Sequence, residues 1–209
     1  MTETTAVDHI LDAAAAEFAE HGYGGARVDE IARRAGVNKA MLYYHVGDKA
    51  ALYTAVLTRN FAVARGNFEA ALAASSGPRE RLVSLIGAMV RTARALPHHP
   101  QIMLREVASG GSGLAPEVIT AMAELLGVVR GVLDEGVREG VFRPVDPLLT
   151  HLLVLGTVIF MTATEPLRSR MNEAGVPVRT TAAPERFAAF LGDLVLHGIA
   201  NPSSDGGSQ

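Results

Sequence analysis

The stretch Val28-Asp-Glu-Ile-Ala-Arg-Arg-Ala-Gly-Val-Asn-Lys-Ala-Met-Leu-Tyr-Tyr-His-Val46 sets the architecture of this chain. Val28, Ile31, Ala32 and Ala35 recur at i, i+3, i+4 and i+7, one face of a 3.6-residue period. Gly36 suits the left-handed position that ends a helix, Val37 can fill the gap that follows, and Asn38 is a favoured N-cap for the next helix. In that second helix Leu42 and Val46 point inward. Lys39, Ala40, Met41, Tyr43, Tyr44 and His45 are left outward or at its edges. Two short helices with a three-residue turn form a unit that can lay its second helix in the major groove of DNA. Two tyrosines, a lysine and a histidine on that helix suit a phosphate backbone better than a core.

With its flanks included, the segment over residues 6–57 resembles the DNA-binding domain of the tetracycline-repressor (TetR) family of bacterial transcriptional regulators. The resemblance rests on a preceding amphipathic helix, the Ala35-Gly36-Val37 turn, the Leu42-Tyr-Tyr-His45 run, and Gly47-Asp-Lys-Ala-Ala-Leu52. Three positions depart from the family's usual residues. Arg27 replaces a capping Thr or Ser, Met41 a small or hydroxyl residue, and Val46 a frequent Phe. The resemblance implies an all-α fold: an N-terminal three-helix helix-turn-helix domain and a C-terminal helical bundle for regulation and dimerisation. It further implies a ligand-responsive repressor, with its effector pocket among the helices that follow the DNA-binding domain.

Composition agrees with an all-helical chain. Its 209 residues can bury a sizeable core, aromatics are only 5%, and β-branched alternation is scarce. Without cysteine there is neither a disulfide framework nor a thiolate metal site, which suits a reducing cytoplasm. The polar, acidic start does not read as a secretory signal. The longest apolar run, Leu148 to Ala163, falls short of the roughly 20 residues a membrane helix needs, so a soluble bundle helix is expected. Net charge is −3, yet Arg27, Arg33, Arg34, Lys39 and Lys49 cluster where DNA would lie, while residues 1–25 carry acids and no Lys or Arg.

The expected organisation is a DNA-binding domain over 1–50, a ligand-binding and dimerisation domain over 51–200, and a disordered tail over 201–209. The first helix is expected from Thr5, by a capping box with Asp8, to Gly22. Further helices are expected over about 49–74, 78–96, 101–108, 116–139, 147–164 and 184–200, with 168–183 a long loop and Ser109–Gly113 a flexible one.

The candidate DNA contacts are Arg27, Val28, Asn38, Lys39, Ala40, Met41, Tyr43, Tyr44, His45 and Lys49. Lys39 can reach guanine O6 and N7 or a phosphate, and Ala40 and Met41 can meet thymine methyls. Met41 can equally tuck under the first helix. Tyr43, Tyr44, His45 and Lys49 suit phosphates, whereas Arg33 and Arg34 read as a solvated face.

Flexible thioethers suit a pocket for apolar effectors, so Met89, Met103, Met122 and Phe160 are candidate ligand contacts, with Arg105 and Glu106 as polar partners. Core filling is the commoner use of a methionine. One recognition helix covers few base pairs, so a homodimer over a near-palindromic operator is expected. The last two helices offer the interface, through Leu152, Leu155, Ile159, Phe187, Leu191 and Leu194.

Two other readings compete. One keeps DNA binding without an effector, as an architectural or protein-regulated factor. The other is a helical-bundle enzyme using His98, His99 and Glu106. Adjacent histidines point in different directions and no third ligand follows at regular spacing, so no metal, cofactor or catalytic site is expected.

Overall fold

The computed structural model describes residues 3–178 and 183–201 of the chain. Ten helices run in order among them: α1 (Glu3–Gly25), α2 (Val28–Ala35), α3 (Lys39–Val46), α4 (Lys49–Ala73), α5 (Pro78–Ala95), α6 (His99–Ala108), α7 (Pro116–Arg138), α8 (Pro147–Ala163), α9 (Glu165–Glu173) and α10 (Pro184–Ile199). Extended pairing in the described residues is limited to an isolated bridge between Phe142 and Ala200. The expected tail from residue 202 lies outside the described residues.

Two expectations need correction. Helix α1 begins at Glu3, so Thr5 lies inside it rather than capping it. The segment expected as one long loop from Arg168 contains most of α9. Glu165-Pro166 reads as a stop, but proline at a first helical position has no N–H to waste and starts a helix well. The loop Ser109–Gly113 is a run of hydrogen-bonded turns. Ser109 N–H donates to the Arg105 carbonyl at 3.0 Å and Gly111 N–H to the Glu106 carbonyl at 2.7 Å. Gly110 and Gly111 hold φ of 71° and 74°, which only glycine adopts at no steric cost.

The chain packs as two compact units. The first takes residues up to 62 together with 96–121. Here Ile10, Ala14 and Phe18 of the α1 stripe are buried, with α2 and α3 packed on α1, and Ile31 of α2, Leu42 of α3, and Leu52, Val56 and Leu57 of α4 are buried too. Each large side chain removed from water in this way contributes roughly 1.5–3 kcal/mol. Helix α6 packs on α1 in the same unit and buries Ile102 and Met103.

A polar seam lies within this core. Asn60 Nδ2 is 3.3 Å from His99 Nδ1, and Phe61 meets the His99 ring edge-on with centroids 5.3 Å apart. Burial pulls the His99 imidazole down to about 4. In the unfolded chain it titrates near 6.5, so the unfolded state takes up this proton first. The stability is fully present above about pH 6.5 and is lost as pH falls toward about 4. His151 is held down by burial too and adds in the same direction. His99→Gln is expected to flatten the fall in melting temperature between those pH values; a profile identical to wild type would refute this.

The second unit takes residues 63–95 and those from 122 onward. Helix α5 is its centre, with Leu82, Leu85, Ile86, Met89 and Val90 buried and with α10 and α8 packed on it. Helix α10 contributes Leu191, Gly192, Val195 and Ile199, and α8 contributes Thr150, His151, Val154 and Val158. Arg81 Nη1 donates to both carboxylate oxygens of Glu135 on α7 at 2.6 Å.

No single helix among the described residues is long and apolar enough to cross a membrane. Helices α8 and α9 meet that length and composition only as a pair bent by 46°.

Candidate nucleic-acid interface

The turn between α2 and α3 is closed by the hydrogen bonds its glycine permits. Gly36 sits at φ 69°, its N–H donates to the Arg33 carbonyl at 3.2 Å, and Val37 N–H donates to the Ala32 carbonyl at 3.0 Å. This paired arrangement satisfies the last carbonyls of α2. Asn38 then caps α3, its Oδ1 accepting the Met41 N–H at 2.8 Å. Asp48 caps α4 in the same way through Ala51 N–H at 2.8 Å.

Arg27 supplies no side-chain cap to α2. Its own backbone N–H instead donates to Glu17 Oε1 of α1 at 3.1 Å, and Asp29 and Glu30 place negative charge in the first turn. The hydroxyl missing at position 27 is thus offset by an inter-helix bond and by acids beside the N-terminus.

Helix α3 buries Leu42, half-buries Val46, and turns Ala40, Met41, Tyr43 and Tyr44 outward. Tyr44 is 80% exposed. Met41, 42% exposed, projects to solvent rather than under α1. Val28 is half-buried at the start of α2, Arg27 is exposed beside it, and His45 meets the Tyr44 ring edge-on at 5.2 Å.

The basic side chains are more engaged than their spacing suggests. Lys39 Nζ pairs with Asp29 Oδ1 at 2.8 Å, and this bond holds the lysine pKa up and the aspartate's down. Lys49 Nζ donates to the Gly24 carbonyl at 3.3 Å and lies 5.0 Å from the centre of the Tyr23 ring. Arg34 is not a mere solvated face. It donates to both oxygens of Glu20 at 3.1 and 2.8 Å and to Glu30 at 3.1 Å, tying α2 to α1. Bonds from Arg33 and Arg34 pull the Glu30 carboxyl down to about 2. Asp29, Glu17 and Tyr23 escape a reading of the sequence because their partners lie across a turn or on another helix.

A base contact by Lys39 must replace its bond to Asp29. Lys39→Ala is therefore expected to relax the preference at one operator position, losing about ten- to a hundredfold for the cognate base. Asp29→Asn is expected to tighten binding to all sequences, because it removes a competitor and a negative charge. Isotherms at several salt concentrations check both, and unchanged affinity in both variants would remove Lys39 from the interface.

The candidate effector contacts fall in both units. Met89 is buried on α5, Met122 half-buried on α7, and Phe160 is 64% exposed on α8. Met103 is buried on α6, while Arg105 and Glu106 already bond to α1 and α4. Of the candidate dimer residues, Leu152 and Leu194 are exposed, and Leu155, Ile159 and Phe187 half-buried. Leu191 is 2% exposed, so it belongs to the core of its own chain and not to an outer face. Helical spacing alone misassigned it; Phe190, 65% exposed, lies outward instead.

Among the described residues, Glu17, Glu20 and His21 could offer three metal-ligand atoms within 4.8 Å of one another, but Arg34 Nη2 already stands 3.4 and 2.8 Å from the two carboxylates. His98 and Glu106 form no such cluster with His99 there.

Two family models match this chain. "Bacterial regulatory proteins, tetR family" covers residues 10–56, the helix-turn-helix and its flanks. "Tetracyclin repressor-like, C-terminal domain" covers residues 78–195. The chain belongs to the TetR family. As a member it is a bacterial DNA-binding transcriptional regulator and not an enzyme. It is 27% identical over 197 residues to the HTH-type transcriptional repressor NicS of Pseudomonas putida, spanning 92% of this chain and 91% of NicS. Among solved structures it is similar to the TetR-family regulator PfmR of Thermus thermophilus, with a TM-score of 0.69, 28% identity, and 90% and 97% of the two chains covered. The ketosteroid transcriptional regulator KstR2 of Mycobacterium tuberculosis shares the fold with a TM-score of 0.72 at 22% identity, over 93% of this chain and 94% of that one.

Proposed function

We propose that this TetR-family member is a homodimeric repressor that reads a near-palindromic operator with α3 and is released by a small, largely apolar effector. The observation that carries the dimer is the outer face of α8 and α10. Leu148, Leu149, Leu152, Leu153, Phe190 and Leu194 are each about half exposed or more, a concentration of apolar surface that a lone chain rarely leaves in water. Two copies of α8 and α10 would bury it as a four-helix bundle, and a pair of chains brings two α3 helices, one for each half-site.

Repression is supported by the likeness to NicS, which is a repressor. An apolar effector is supported by the methionines: Met89 is buried on α5 and Met122 is half-buried on α7, and neither brings a charge. The ligand can release DNA only if it binds the non-binding arrangement more tightly.

Selection of duplexes from sheared genomic DNA by the full chain, with light scattering of the free protein and its complex, tests the reading. Enrichment of fragments with two related half-sites, bound by two chains, is the expected result. A monomer at micromolar concentration that selects no fragment would overturn it. A dimer that binds DNA but shows no thermal shift with any of a panel of apolar small molecules would favour regulation without an effector.

A further inference from the structure

We propose that Arg105 and Glu106, adjacent on α6, are positioning residues for DNA binding: together they complete the DNA-reading head from outside the segment that carries the helix-turn-helix. The inference rests on the DNA-binding assignment and adds residues that touch no DNA.

The helix-turn-helix, Val28–Val46, hangs between two supports: the C-terminal end of α1 and the first turns of α4. Helix α6 holds both. Arg105 Nε donates to the Ala19 carbonyl at 3.2 Å and Arg105 Nη2 to the Glu20 carbonyl at 2.9 Å. These carbonyls belong to the last regular turn of α1, before Gly22 breaks the helix at φ 68°. Such carbonyls lack partners within their own helix, and the negative end of the helix dipole attracts a cation. The basic residue of that turn, His21, lies beside the Glu17 and Glu20 carboxylates at 3.9 and 3.6 Å, and the guanidinium from α6 supplies both functions. It also lies against the break itself, since a Cβ at Gly22 would come within 3.5 Å of Arg105 Nη1.

The next residue reaches the other support. Glu106 is buried, and its Oε1 accepts the Tyr53 hydroxyl of α4 at 2.6 Å. Burial, and then this bond, push the Tyr53 phenol up, so it stays protonated as the donor. The Tyr53 ring meets Phe18 of α1 edge-on with centroids 4.7 Å apart. Gly113 closes over the carboxylate: a Cβ there would come within 2.9 Å of Glu106 Oε1. One turn of α6 therefore fixes where α1 releases the chain into α2 and where α4 receives it from α3. Withdrawing α6 loosens both ends of the reading unit at once.

The test uses the full chain and a duplex selected by the wild-type protein. Arg105→Met keeps the apolar stem and removes the donors. It is expected to weaken DNA binding about tenfold at fixed salt and to speed hydrogen exchange of amides in residues 22–30, with α5 and α10 keeping their protection. Arg105→Lys, which retains charge and one reach to a carbonyl, is expected to recover part of the affinity. Glu106→Gln keeps an acceptor for Tyr53 and is expected to stay near wild type, whereas Glu106→Leu and Tyr53→Phe weaken binding.

Wild-type affinity in Arg105→Met would overturn the proposal. So would a loss of protection as large in α5 and α10 as in residues 22–30, which would make Arg105 a residue of general stability. If the wild-type chain selects no duplex, the DNA-binding assignment is what has failed, and the exchange pattern alone then decides this one.

Discussion

Leu191→Asp and Leu194→Asp, three residues apart on α10, are expected to fail in opposite ways. Leu191 is 2% exposed and packs inward with Val195 and Ile199 where α10 meets α5. A carboxylate there loses the burial of the leucine, about 2–5 kcal/mol, and has no partner to offset its own desolvation. The C-terminal unit should lose its cooperative unfolding transition, since a domain's whole stability is only about 5–15 kcal/mol. Leu194 is 58% exposed beside Phe190. An aspartate there meets water in the lone chain, so circular dichroism should be preserved. In the proposed dimer it places like charges in an apolar seam across the twofold axis, and light scattering should report a monomer that has lost most of its DNA affinity. A folded dimer in Leu194→Asp would remove α10 from the interface; a folded, stable Leu191→Asp would contradict the packing of α10 on α5.

Gly136→Ala is expected to be the most damaging methyl that can be added to α7. A Cβ at Gly136 would overlap the ring of Phe142, which is 1% exposed. The ring cannot easily step aside, because the backbone on either side of it is fixed. Val141 and Phe142 N–H both donate to the Gly136 carbonyl, at 2.8 and 3.0 Å, and Arg143 N–H donates to the Ile199 carbonyl at 2.9 Å. Expelling a buried phenylalanine costs about 3–5 kcal/mol, against which the better helix propensity of alanine returns about 1. The net is a loss of roughly 2–4 kcal/mol in denaturant unfolding. Gly131→Ala, on the same helix with nothing within 4 Å of the added atom, is the control and should stabilise slightly. If both substitutions behave alike, the Phe142 plug is not what requires the glycine.

These two cases mark how far local pattern reaches. The helix-turn-helix was legible because each of its signals is short-range. A left-handed glycine at 36, an asparagine cap at 38 and the i, i+3, i+4 stripe act within one or two turns of chain, and all three occur in the folded protein. Helices α5, α7, α8 and α10 were legible for the same reason, their starts marked by Pro78, Pro116, Pro147 and Pro184. Helix α9 was not, because Glu165-Pro166 carries the same residues whether it stops one helix or starts another.

Periodicity and caps suffice to establish that this chain is helical, that it carries a helix-turn-helix, and which residues of α3 face outward. They do not separate core from surface among the apolar residues of α10, because a helix apolar on more than one side does not state which side its neighbour takes; the packing on α5 does that. The crossing of helices likewise sets Lys39 against Asp29 and Arg34 against Glu20, pairings that spacing along one helix cannot express. It also sets Arg105 and Glu106 into the bonds that hold α1 and α4. Their partners are 85 and 53 residues away along the chain, a separation over which only the packed fold can bring donor and acceptor together.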